Sequence, residues 1–213
     1  MEPKEANYEK PNHERLAEEL FNDWNESLKS GEPQKVAEEY LEDGELFGTV
    51  SGRIRQGWEE IKKYFEHFLK GSPTGEVLKR SVIYISDNMF LDSGLYRFKL
   101  TKDGQEQMVD AEFTFVWQKD GEGNWRIKHH HSAAVKDNED FDKQIDVSDL
   151  DNDNIEWGIK EKVGDNMVLL TGFLKNDNEK TTKRFTYLIR EDENGNREIV
   201  YRQVSKKPEN DEV

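Results

Sequence analysis

Ala111-Glu112-Phe113-Thr114-Phe115-Val116-Trp117-Gln118-Lys119, followed by Trp125-Arg126-Ile127-Lys128-His129-His130-His131-Ser132-Ala133-Ala134, is the stretch on which the fold turns. The first run alternates, with Ala111, Phe113, Phe115 and Trp117 on one side, which is the period of a strand with one buried face. Asp120-Gly121-Glu122-Gly123-Asn124 reads as the loop between two antiparallel strands. Working outward toward the N-terminus, Val77–Ser86 and Met89–Leu100 are two further strand candidates, and Gly94 marks a bulge. Asp103-Gly104 is a turn signal that continues the meander into Met108–Lys119.

Before residue 76 the period is helical. Asn12 is the expected N-cap of a first helix, in which Leu16, Leu20, Trp24 and Leu28 recur every four residues with Phe21 beside them. Gly31 ends it, and Pro33 suits the first turn of a short second helix carrying Val36, Ala37, Tyr40 and Leu41. Leu46–Ser51 reads as a short strand. A third helix is expected over Gln56–Lys70, striped by Trp58, Ile61, Phe65, Phe68 and Leu69, with Gly71 as its C-cap. Helices first and an antiparallel meander afterwards predict an α+β domain over residues 12–135, with three helices on a curved sheet.

Residues 136–154 are acidic, poor in large apolar groups, and read as a linker. The remainder, 155–208, reads as a partial β-meander repeat without helices. Asp87-Asn88-Met89 returns as Asp165-Asn166-Met167, and Phe113-Thr114-Phe115 as Phe185-Thr186-Tyr187. Where the first meander has His129-His130-His131-Ser132, the second has Tyr201-Arg202-Gln203-Val204. Such a piece is expected to cover an edge or face of the first sheet, or to pair with another chain.

The 213 residues carry a formal net charge of −15, and no cysteine occurs. The charge argues against nucleic acid and against an anionic membrane surface as partners. Thiol nucleophiles, disulfides and Cys-ligated zinc are excluded. No stretch approaches the roughly 20 apolar residues of a membrane helix. A soluble protein is expected, cytoplasmic as the chain stands, or organellar or periplasmic if a presequence was removed.

Three of the five histidines are consecutive. On a strand, His129 and His131 share one face while His130 and Ser132 share the other. The run therefore cannot aim three imidazoles at one metal; two could ligate only with a third ligand from elsewhere. The expectation is a site without metal or cofactor. Carboxylate pairs are too frequent in so acidic a chain to single out a catalytic pair, and phosphate-binding glycine loops are absent.

A series of short blocks runs in order: Phe21-Asn22-Asp23-Trp24-Asn25, Gly48-Thr49-Val50-Ser51, Ile61-Lys62-Lys63-Tyr64-Phe65-Glu66-His67-Phe68-Leu69, Asp92-Ser93-Gly94-Leu95-Tyr96, Phe113-Thr114-Phe115-Val116 and His130-His131-Ser132. Over about residues 14–135 this series resembles the calcium/calmodulin-dependent kinase association-domain branch of the cone-shaped NTF2-like fold, and within it the iota-class carbonic anhydrases. Ala133 stands where that pattern has a second Ser, and Gly48 where it often has Pro. The resemblance implies a pocket in which Thr49, Tyr64, His130 and Ser132 carry the reversible hydration of carbon dioxide to bicarbonate. Tyr96, His131 and Trp24 would contact the substrate. It also implies a homodimer or larger homo-oligomer built through the sheet. The alternative is an NTF2-like oligomerisation or ligand-binding module without activity. An isomerase- or cyclase-like pocket is a third option, for which no acid or base declares itself from spacing.

Overall fold

A computed structural model of the chain describes residues 13–135, 154–175 and 182–208. The expected N-cap Asn12 and all but the last residue of the expected linker lie outside these residues.

Helix α1 (His13–Lys29) buries Ala17, Phe21, Trp24, Asn25 and Leu28, the stripe that its four-residue spacing foretells. Asn25 fastens the helix to the sheet. Its amide donates to the Gly75 carbonyl at 3.0 Å, and its carbonyl accepts from the Gly75 N–H at 2.8 Å. Helix α2 is shorter than expected, Pro33–Glu38, because Tyr40 and Leu41 already belong to strand β1 (Tyr40–Phe47). Tyr40 is wholly buried against β6, where its hydroxyl finds His130, so tertiary packing overrides the helical spacing. The strand expected to run through Ser51 accordingly ends at Phe47, and Thr49 sits in the turn after it. β2 (Arg55–Gln56) pairs with β1, so α3 begins only at Trp58 and ends at Phe68. A single 3-10 turn, Leu69–Gly71, follows, and Ser72 rather than Gly71 takes the left-handed conformation, at φ 48°.

The four long strands follow the expected order: β3 (Thr74–Ser86), β4 (Met89–Lys102), β5 (Gln105–Lys119) and β6 (Trp125–Ala134). They form a six-stranded sheet of order β2-β1-β6-β5-β4-β3, in which only β1 and β6 run parallel. The irregularity expected at Gly94 lies on the facing strand, where the pairing slips between Val77 and Lys79. A Cβ on Gly94 would collide with the Lys79 carbonyl, which is why the bulge faces a glycine.

Strands β7 (Ile155–Val163), β8 (Met167–Leu174), β9 (Lys183–Glu191) and β10 (Arg197–Lys206) form a second antiparallel sheet, with no helix among its described residues. The two meanders share local geometry. Asp120 Oδ1 accepts from the N–H groups of Glu122 and Asn124, and Asp192 Oδ1 does the same for Asn194 and Asn196.

The centre of the first sheet is buried on both faces. Toward the helices, Tyr96, Phe113, Phe115, Trp117 and Ile127 pack on Phe21, Trp24, Ile61 and Phe65. Toward the second sheet, Ile85, Met89, Leu91 and Val116 pack on Ile159, Val163, Leu169 and Leu188. The chain's own β-meander thus occupies one of the two faces through which a sheet-built oligomer is expected.

Leu188 is fully buried between the sheets. Leu188→Ala should cost about 2–5 kcal/mol of unfolding free energy. Because both sheets share this core, urea unfolding should remain one transition by fluorescence and by circular dichroism. A first sheet that kept its midpoint while the second melted would show the two to be independent.

Candidate functional site

Strand β6 carries the site. His129, His130, His131 and Ser132 are at most 3% exposed, so each polar side chain must find a partner inside the protein. Alternation sends His130 and Ser132 toward the helices and His129 and His131 toward the second sheet.

On the helix side, Trp24, Leu46, Gly48, Thr49, Tyr64, Phe65, Phe68, Tyr96, Phe98, His130 and Ser132 line one small cavity. Its volume open to the centre of a water is about 10 Å³, room for a single molecule. The lining groups come from several elements. The turn after β1 brings Thr49, α3 brings Tyr64, β4 brings Tyr96, and α1 closes the floor with Trp24. Gly48 is required there, since a Cβ at that position would overlap the Tyr64 ring.

The hydroxyls are mutually bonded. Tyr96 donates to Ser132 Oγ, and Ser132 Oγ lies 2.5 Å from Thr49 Oγ1. His130 stacks on Phe115 with ring centroids 4.1 Å apart, places Nδ1 2.9 Å from the Tyr40 hydroxyl, and places Nε2 3.4 Å from the Tyr96 hydroxyl. The Tyr96 proton is committed to Ser132. The hydrogen-bond network therefore assigns the His130 proton to Nε2, with Nδ1 accepting from Tyr40.

Burial sets the protonation of this cluster. It pushes the Tyr64 phenol up to about 12, against the opposing pull of the Arg184 charge and of the backbone N–H groups of Thr49 and Val50. It pushes Tyr96 and Tyr40 up as well, so all three phenols keep their protons at neutral pH. Burial, reinforced by His129, holds His130 neutral well below the ordinary histidine value.

The expected site residues thus separate into two groups. Thr49, Tyr64, Tyr96, His130, Ser132 and Trp24 come together at the cavity. His131 does not. It lies on the opposite face of β6, with Nδ1 2.9 Å from Thr186 Oγ1 and Nε2 2.8 Å from Ser205 Oγ. The period-two geometry that joins His130 to Ser132 necessarily turns His131 away.

On that far face, sequence spacing does not show a second polar cluster. His129 Nε2 meets Thr186 Oγ1 at 2.8 Å, and its Nδ1 makes a close but bent 2.8 Å contact with Glu45 Oε1. Glu45 Oε1 also accepts from Thr171 Oγ1 at 2.7 Å. Arg184 Nε donates to Ser205 Oγ at 3.1 Å. Glu45 and Arg184 are ordinary charged residues in the sequence; only the docking of the second sheet buries them. Among the described residues, no three His, Asp or Glu side chains converge as metal ligands.

With this geometry in hand, relatives can be compared. The family model for the calcium/calmodulin-dependent protein kinase II association domain matches residues 14–136. The chain belongs to that family. A solved structure described as an association domain of this type, from Xanthomonas campestris, is 42% identical over 57% of this chain and 86% of its own, with a TM-score of 0.55. Aln2 from a Streptomyces species shares the fold at 11% identity, covering 59% and 93% of the two chains at a TM-score of 0.52. An NTF2-like protein with a cystatin-like fold from Novosphingobium aromaticivorans matches at 16% identity over 58% and 86%, with a TM-score of 0.47. Among curated proteins none matches. The association-domain match stops where β6 ends, so the second sheet lies outside it. No described helix is long and apolar enough to cross a membrane.

The buried histidines make stability depend on pH. His130 and His131 sit well below their ordinary value of 6.5, chiefly through burial. The unfolded chain therefore takes up their protons first as pH falls. The stability they confer is complete above that value and is lost below it, at up to about 1.4 kcal/mol per pH unit for each. Asp92 acts in the opposite sense. Burial raises its carboxyl from 3.8 to about 6, so the folded chain binds that proton first and regains part of the loss as pH falls. Between about pH 7.5 and about pH 5.5 the unfolding free energy from urea should drop by about 2 kcal/mol. His130→Gln should remove about two-thirds of the drop. A free energy that stays flat or rises over that range would contradict burial of neutral imidazoles.

Proposed function

We propose that this association-domain chain hydrates carbon dioxide reversibly, as the iota-class resemblance implies, in the cavity between β6 and α3. One observation supports the reading above the others. Thr49, Tyr64, Tyr96, His130 and Ser132 line a single water-sized space whose remaining walls are mostly aromatic.

In the proposed reaction a water held in the cavity forms a bond to the carbon of a carbon dioxide that meets it at the half-exposed Thr49 and Phe68 side. One C=O electron pair moves onto oxygen, and the water loses a proton. Protonated Tyr64 and the Thr49 and Ser132 hydroxyls stabilise the negative oxygen where water is scarce. The phenol is suited to donate because burial holds its proton. The released proton leaves along the Ser132 and Thr49 hydroxyls, and half-buried Thr49 hands it to solvent. Neutral His130 holds the Tyr40 and Tyr96 hydroxyls in place and does not carry the charge, which burial disfavours.

A second reading, a non-catalytic assembly module, draws on the same family membership. Stopped-flow hydration of carbon dioxide by the purified full chain, with and without a strong chelator, separates them. Turnover is expected to survive the chelator and to fall at least about tenfold in Ser132→Ala and in Tyr64→Phe. Turnover lost to the chelator would sink the hydroxyl mechanism. No turnover above the buffer rate, together with a concentration-dependent oligomer in sedimentation, would favour the assembly module.

A further inference from the structure

Arg184 is a buried cation whose contacts lead directly to the cavity. It lies on β9 in the second sheet and is 1% exposed. Its Nη1 donates to the Gly48 carbonyl at 2.8 Å and its Nη2 to the Ser132 carbonyl at 3.1 Å. Gly48 and Ser132 both line the cavity, and Gly48 precedes Thr49, so the guanidinium clamps the backbone that carries both short hydroxyls. Its field reaches the phenols of Tyr64 and Tyr96. Burial lowers it to about 10, which leaves it charged at neutral pH.

Among the described residues, no carboxylate forms an ion pair with Arg184. The nearest compensation is relayed. The assignment that gives every hydroxyl proton an acceptor runs one way: Arg184 Nε–H to Ser205, Ser205 O–H to His131 Nε2, His131 Nδ1–H to Thr186, Thr186 O–H to His129 Nε2, and His129 Nδ1–H toward Glu45. The line fixes Arg184 and its Nε, while the rest of the guanidinium faces the two carbonyls behind the cavity. A fully buried cation without an adjacent anion is costly unless something negative approaches it. One layer of backbone, at Gly48 and Ser132, separates the guanidinium from the cavity.

We propose that Arg184 is a positioning cation supplied by the second sheet, and that it makes the site select small monoanionic oxyanions of carboxylate or bicarbonate shape, with one oxygen in the water-sized cavity and the remainder at half-exposed Thr49 and Phe68, over neutral molecules of the same size. This rests on reading the cavity as the ligand site, and it makes the second sheet part of that site. Acting through one peptide layer, such a charge should favour an anion on the order of 10- to 100-fold.

The test uses the full chain with formate and its neutral counterpart formamide as probes, followed by titration NMR. Wild type should bind formate at least about tenfold more tightly than formamide. Arg184→Met should bring the two to parity. In Arg184→Lys the preference should persist at neutral pH and vanish on raising the pH, because a buried ammonium loses its proton more readily than a guanidinium. Equal affinities in wild type overturn the proposal. So does a folded Arg184→Met that keeps the preference, or an Arg184→Lys that keeps it at every pH. If Arg184→Met fails to fold, the pH response of Arg184→Lys decides. Anion preference without carbon dioxide hydration would defeat the enzymatic reading alone; hydration without anion preference would defeat the role of Arg184 alone.

Discussion

Strand β6 has no outside. Its central residues, His129 through Ser132, are packed by helices on one face and by a second sheet on the other, although all four are polar. Burying such groups without partners would cost several kcal/mol in total, against a net stability of about 5–15 kcal/mol for a domain. The structure around β6 answers that constraint. Tyr40, Tyr96 and Thr49 serve the helix face, and Glu45, Thr186 and Ser205 serve the sheet face.

The two faces solve the same problem differently. Toward the helices, hydroxyls and one neutral imidazole enclose a space for about one water within an aromatic shell. Toward the second sheet the polar groups form a directional line between a cation and a carboxylate. That line sets the register of one sheet on the other: sliding β9 by one residue would put Phe185 or Tyr187 in place of Thr186 and take from His129 and His131 the partner they share. Apolar contacts such as Leu91 with Leu188 supply most of the attraction between the sheets, while the polar line makes it specific.

Much of this was legible in the residues. The alternation of Phe113, Phe115 and Trp117 and the four-residue stripe of α1 are direct consequences of strand and helix periods, and both elements stand where the pattern puts them. The pairing of His130 with Ser132 follows from the same period. The failures are equally physical. Tyr40 has helical spacing but is drawn into β1 by burial on β6, and Ser72 takes the left-handed turn beside an available glycine. His131, adjacent in sequence to two cavity residues, is excluded by the alternation that includes them.

The sequence by itself determined the α+β class, the order of helices and strands, and which residues of β6 share a face, because these depend on local periodicity and turn chemistry. Only the tertiary structure decided that the second meander covers the first sheet, that Glu45 and Arg184 are buried, and that hydroxyls from a turn, a helix and two strands meet at one cavity. Those facts depend on contacts between residues more than 80 positions apart, such as Thr49 with Ser132 and Gly48 with Arg184, and no local pattern encodes such a distance.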